Sequence, residues 1–171
     1  EPFAFFELLP KNLTSLSTDL HIIDNTSILP DSMTYLNLFS RYFSEKSCFD
    51  RFPEQLKFLR LIGNVTETTL TDLPKGLTSF GLTSQVCITD QVISRLPRTL
   101  LKLSLATASS LTDASASCFP PTLESLYLKH CQDWTDNSIS KLPRSLQYLH
   151  LPGNTNFTDE CVKHLPRLLI V

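Results

Sequence analysis

Glycine is scarce in this chain, with 4 among 171 residues, and neither G-x-x-x-x-G-K-[ST] nor G-x-G-x-x-G occurs. A phosphate-cradling loop is thereby excluded, because such loops need backbone positions without a Cβ. No run approaches the roughly 18 consecutive apolar residues of a membrane helix. Charge of one sign is missing as well: 15 basic against 17 acidic residues leave a net charge of -2, so nothing global draws nucleic acid. The five cysteines, Cys48, Cys87, Cys118, Cys131 and Cys161, are odd in number and never form C-x-x-C. That pattern argues against a zinc site or a disulfide framework and for reduced, mostly buried thiols. His21, His130, His150 and His164 are scattered without a shared spacing, so no metal-ligand constellation forms. With 42% apolar residues the chain is nevertheless a folding one and not a disordered one.

Proline, by contrast, is abundant at 11 residues, and eight of them fall at Pro10, Pro30, Pro53, Pro74, Pro97, Pro120, Pro143 and Pro166. The intervals are 20, 23, 21, 23, 23, 23 and 23. A large apolar residue stands three after each (Leu13, Met33, Leu56, Leu77, Leu100, Leu123, Leu146, Leu169), and another six after (Leu16, Leu36, Leu59, Phe80, Leu103, Leu126, Leu149). Leucine returns eight after from Leu38 to Leu151, with Thr18 the exception in the first unit. The repeated string is L-P-x-x-L-x-x-L-x-L, and its L-x-L centre has the period of a short strand. In the four regular units the second half also repeats, as Ile88-Thr89-Asp90, Leu111-Thr112-Asp113, Trp134-Thr135-Asp136 and Phe157-Thr158-Asp159. An apolar residue follows three later (Ile93, Ala116, Ile139, Val162), which is helical spacing with Thr as N-cap and Asp in the first turn. Proline then ends the turn, since the residue before it is pushed out of the α region.

These residues resemble the leucine-rich repeat, L-x-x-L-x-L-x-x-N/C-x-L, over nearly the whole chain. Cys131-Gln132-Asp133-Trp134-Thr135-Asp136 is similar to the cysteine-containing subclass common in F-box substrate receptors, whereas the leading L-P is similar to proline-led repeats of some bacterial effectors and amoebal proteins. The N/C position holds Asn64, Cys131 and Asn154, but Arg41, Gln85 and Ala108 elsewhere. The resemblance implies an α/β solenoid of about seven units, an arc with a concave parallel β-sheet and short convex helices or helical turns. No composition break marks a boundary, so residues 1–171 are expected to form a single leucine-rich-repeat domain. The start at Glu1-Pro2-Phe3 has no basic segment followed by a long apolar stretch and is not expected to be a signal peptide. The abrupt ends lead to the expectation of a fragment of a longer solenoid or larger protein.

Residues that alternate with the buried leucines are the candidates for contact. Tyr35, Phe58 and Arg60 form one cluster, and Lys102, Tyr127, Lys129, Tyr148 and His150 another, with Ser79 and Gly81 between them in sequence. Phe39 and Ile62 join the first as residues expected to be exposed with Phe58. Tyr and Arg are favoured interface anchors. A second regularity, basic residues around Arg95-Leu96-Pro97-Arg98, Lys141-Leu142-Pro143-Arg144 and His164-Leu165-Pro166-Arg167 beside the Asp90, Asp113, Asp136 and Asp159 series, is read as complementarity to helix dipoles. Cys161 and His164 are close in sequence, but on a convex helix Cys161 is expected to pack and not to act as a nucleophile.

The expected function is non-catalytic protein-protein recognition through the concave face, as a substrate-receptor or adaptor module in the cytoplasm. The partner is another protein; no cofactor, metal or small-molecule substrate is expected, nor nucleic acid, nor a membrane span. Four N-glycosylation acceptor patterns, at Asn12, Asn25, Asn64 and Asn156, support the alternative of a secreted or extracellular recognition repeat. A purely structural segment of a large assembly is the third reading.

Overall fold

The computed structural model describes residues 6–23, 29–43, 52–65, 67–85 and 88–166. The chain divides into two compact units, Glu1–Val86 and Cys87–Val171. Among the described residues the first unit holds four strands, β1 (Ser15–Ile23), β2 (Tyr35–Phe43), β3 (Phe58–Asn64) and β4 (Ser79–Thr83), and the second holds β5 (Lys102–Leu105), β6 (Ser125–Leu128) and β7 (Tyr148–His150). Within each unit every strand pairs in parallel with the next in the chain, in the register set by the prolines, so that Leu36 faces Leu59 and Leu103 faces Leu126. This is the expected α/β solenoid of leucine-rich-repeat type, one strand per repeat.

Proline has a specific place in that design. Each Pro carbonyl, at Pro10, Pro30, Pro53, Pro74, Pro97, Pro120 and Pro143, accepts the amide N–H three residues on at 3.0–3.2 Å, closing a β-turn that delivers the chain into its strand. The residue that donates this bond is the first core position: Met33, Leu56, Leu77, Leu100, Leu123 and Leu146 are fully buried. The next carbonyl accepts twice from the following repeat. The Lys57 carbonyl takes the amides of Thr78 and Ser79, and the Glu124 carbonyl those of Gln147 and Tyr148. Proline's missing N–H is never needed in the ladder, because it sits outside the strand.

The L-x-L pairs Leu36/Leu38, Leu59/Leu61, Phe80/Leu82, Leu103/Leu105 and Leu126/Leu128 all point inward. Each such side chain contributes roughly 1.5–3 kcal/mol when removed from water. Across the core from the strands run short helical turns. The Thr-Asp segments form α-helices at α1 (Asp90–Ser94) and α2 (Asp136–Lys141), but only 3₁₀ turns at Ser115–Cys118 and Asp159–His164. The six residues between the threonine and the Leu-Pro or Phe-Pro stop leave room for little more than one turn. Ile93, Ala116 and Ile139 are buried as the spacing predicts, whereas Val162 is exposed. Trp134 fills the second unit: its ring meets Phe119 edge-on, and its Nε1–H donates to the buried Ser115 hydroxyl at 3.1 Å, which in turn donates to the Thr112 carbonyl.

The N/C position departs from expectation in the irregular half. Asn64 is exposed, and the buried residue is Val65. A register shift between Ser40 and Tyr42 against β3, with Gly63 at φ 135, moves the inward position by one residue. Arg41 and Gln85 are likewise exposed, and the residues before them, Ser40 and Ser84, are buried instead. Ser84 accepts the Val65 amide at 3.3 Å. In the second unit Ala108 and Cys131 occupy the position and are fully buried.

Repeat-to-repeat polar ties come from other side chains. Asp90 accepts both the amide and the hydroxyl of Thr112, Asp113 those of Thr135, and Asp136 those of Thr158. Each of these threonine hydroxyls also accepts the amide two residues later, from Ala114, Asn137 and Glu160, and Thr135 and Thr158 thereby cap their own turns while they tie to the repeat before. The aspartates are therefore inter-repeat clamps more than partners of their own helix dipole. The hydroxyls two after proline act similarly: Ser32 donates to the Lys11 and Leu13 carbonyls, Thr122 to those of Arg98 and Leu100, and Ser145 to those of Pro121 and Leu123.

Burial lifts the Asp113 carboxyl, but the Thr135 hydroxyl and amide, the Asn137 amide and the Lys141 charge outweigh it and hold it below the ordinary 3.8. The Thr158 hydroxyl and amide do the same for Asp136. Groups held below their unfolded value stabilise the fold fully above about pH 5, and that contribution is lost as pH falls through 3.8 toward the lower folded-state value. Asp113→Ala should therefore cost about 1 kcal/mol at neutral pH, discounted for the solvent exposure of the site. The difference from the parent protein should shrink as pH falls below 3.8 in urea titrations; a difference undiminished in acid would refute the clamp.

Candidate functional site

With the leucines turned inward, the alternate residues of each strand cover the opposite face of the sheet. In the first unit they form three cross-strand rows, Ser15-Tyr35-Phe58-Ser79, Ser17-Asn37-Arg60-Gly81 and Asp19-Phe39-Ile62-Thr83. The predicted pair Tyr35 and Phe58 does come together: the rings stack with centroids 4.3 Å apart and planes 7° from parallel. Adjacent parallel strands lie about 4.8 Å apart, so neighbouring rings at equivalent positions stack with little adjustment. Arg60 is exposed in the next row, and its aliphatic stem lies over Gly81, where an added Cβ would come within 3.3 Å of Arg60 Cγ. The missing side chain at Gly81 thus seats the arginine. Phe39 is 44% exposed, as expected, while Phe58 and Ile62 are only partly so because their neighbours cover them. Asn37, in the same row as Arg60, lies outside the two predicted clusters. Its Nδ2 donates to Ser17 Oγ at 3.0 Å, and its Oδ1 is buried with no partner.

In the second unit the rows are Lys102-Ser125-Tyr148 and Ser104-Tyr127-His150, with Lys129 continuing the face beyond the end of β6. Tyr127 and His150 meet at 5.1 Å with rings tilted by 58°. Tyr148 is 51% exposed and lies two strands from Lys102. Among the described residues neither Lys102 nor Lys129 has an ion pair or a hydrogen bond from its ammonium group. The two predicted clusters thus occupy one unit each: a stacked aromatic pair beside an arginine in the first, and a cationic and aromatic set in the second.

The remaining candidate chemistry resolves into structure. Arg98 donates to the Cys118 carbonyl and Arg144 to the His164 carbonyl, each at the end of the next repeat's helical turn. The basic series therefore complements turn C-termini across repeats. Cys118, Cys131 and Cys161 are free thiols. Burial pushes the Cys131 thiol up to about 12. Burial, with Asp136 and Asp159 adding to it, raises Cys161, which is the reverse of what a nucleophile beside a base requires. Cys48 and Cys87 lie outside the described residues, as do Asn25, Thr66 and Arg167.

No family model matches the sequence, and no curated protein matches it. Among solved structures it is similar to CroV588, described as a novel circular LRR protein, with 20% identity and a TM-score of 0.39 over 95% of this chain. The chain spans 37% of the length of that protein.

The Tyr35/Phe58 stack should show up as a coupling of about 0.5–1.5 kcal/mol in a double-mutant cycle with Tyr35→Leu and Phe58→Leu, read from urea denaturation. Additive effects would mean that the rings merely share a surface.

Proposed function

We propose that this chain is a non-catalytic protein-recognition scaffold that binds its partner through the leucine-free face of its sheet. The observation that carries this reading is a division of labour among side chains. The inward residues and the Asp-Thr and Ser/Thr-carbonyl ties build the repeats, while Phe39, Arg60, Lys102 and Tyr148 stay exposed with no structural task that would require their size or charge. Exposed aromatics beside unpaired cations are the usual anchors of a protein interface. A photo-crosslinking residue placed at Phe39 or Tyr148 should capture a partner protein from an extract of the producing cells, and the same group at Val162 or Ser94, on the helical side, should not. Capture at Tyr148 should also weaken on adding Lys102→Ala, and capture at Phe39 on adding Arg60→Ala; equal capture from both sides would sink the proposal.

An adaptor or substrate-receptor role in the cytoplasm is the form of this function that the thiols favour. Cys131 is fully buried against the core with no sulfur partner, and Cys118 and Cys161 are free as well. The secreted alternative is less well served by the sequons: the Asn156 amide donates to the Gln132 carbonyl, and the Thr158 hydroxyl is held by Asp136. Protein produced through a secretory pathway and analysed by intact mass after thiol alkylation separates the two. Five alkylated cysteines and no glycan are expected; glycan mass together with lost thiols would favour the secreted form.

A further inference from the structure

The face of the second unit differs from that of the first in charge. The outward positions of β5, β6 and β7 and of Lys129 carry two lysines and His150 but no carboxylate, whereas in the first unit Arg60 shares its face with Asp19. Glu124, in the turn before β6, is the flanking acid, and its backbone carbonyl is committed to the amides of Gln147 and Tyr148. A carboxylate-free face with unpaired ammonium groups repels the same face of a second copy and suits an acidic partner.

The spacing narrows the partner further. Lys102 pairs in register with Ser125, and Lys129 lies four residues beyond Ser125 on the neighbouring chain segment. Four residues of strand at about 3.3 Å and one strand step of about 4.8 Å place the two lysine Cα atoms roughly 14 Å apart. Midway between them, in the middle row, stands the partly exposed Tyr127 ring, buttressed by His150. An extended polypeptide places its first and fifth residues about 13 Å apart on the same side, with the third between them.

We propose that this face binds an extended acidic segment of a protein partner, with carboxylates four residues apart on Lys102 and Lys129 and an apolar residue between them on Tyr127. This rests on the sheet face being the recognition surface. A nucleic-acid strand fits less well. Its phosphates need a longer cationic track than two lysines.

The test is a fluorescence-anisotropy titration of the whole chain with a labelled, capped nine-residue peptide bearing glutamates at its third and seventh positions, leucine at its fifth and threonine elsewhere. It should bind at least about fivefold tighter than the version with both glutamates replaced by glutamine, and than the version with glutamates adjacent. Lys102→Gln and Lys129→Gln should each weaken it about three- to fivefold, the range of a partly screened ion pair, while Lys163→Gln on the helical side leaves it unchanged. Circular dichroism checks that these surface variants stay folded. Absence of binding at millimolar peptide and low salt overturns the proposal, as does tighter binding of a twelve-residue oligothymidine. If the glutamine peptide binds equally well and Tyr127→Ala abolishes it, the acidic preference fails and the sheet-face reading survives. If binding ignores Lys102 and Lys129 but falls with Lys163→Gln, both fail.

Discussion

A coil of 20 to 23 residues sets several leucines on one side and has nothing of its own to cover them. Stacking coil on coil is the arrangement that buries them, and every other feature follows from keeping successive coils in phase. Met33, Leu56, Leu77, Leu100, Leu123 and Leu146 lose all contact with water in the stack. A one-residue slip would exchange these side chains for the polar residues of the outer face, so the register must be held within a single residue. The proline turn holds it: seven Pro carbonyls accept the amide three residues on, and each strand therefore starts at the same point of its coil.

Phase alone does not satisfy the backbone between strand and turn, where polar groups face the next coil and not a ladder partner. The repeat signature that the sequence resembles places asparagine or cysteine there. This chain does so only in part and distributes the task over other side chains. Aspartate clamps the amide and hydroxyl of the following Thr, and hydroxyls two after proline hold the preceding carbonyls. An ionised acceptor for two donors is a stronger tie than a neutral amide, at the cost of acid sensitivity. Around Ser40 and Ser84 the inward polar position shifts by one residue and a serine occupies it.

With cohesion assigned to the inward leucines and to these ties, the outer face of the sheet is released from structural duty. That freedom lets residues there change without disturbing the coils. Tyr35 on Phe58 and Tyr127 against His150 show how equivalent positions on adjacent strands, about 4.8 Å apart, turn single side chains into composite patches. Arg60 needs Gly81 beside it for its stem to lie flat. A patch is thus a property of neighbouring repeats and not of any one residue.

The proline arithmetic and the L-x-L alternation were legible in the sequence because they record a periodic constraint: each coil repeats the same burial, so its pattern survives in one dimension. The same patterning identified the outer-face residues, since parity along a strand follows from the pleat. The role of the aspartates was not legible. A carboxylate after a threonine reads as a helix start, and only the stacked coils show that its donors lie 22 residues away. The exposed Asn64 and the buried Val65 depended likewise on a bulge between β2 and β3, a local adjustment of two coils of unequal length. The sequence by itself determined the solenoid, its period and which side chains face out, because these rest on local periodicity and burial. Only the tertiary structure decided which polar groups tie coil to coil and which aromatics meet, because those are relations between residues one full repeat apart.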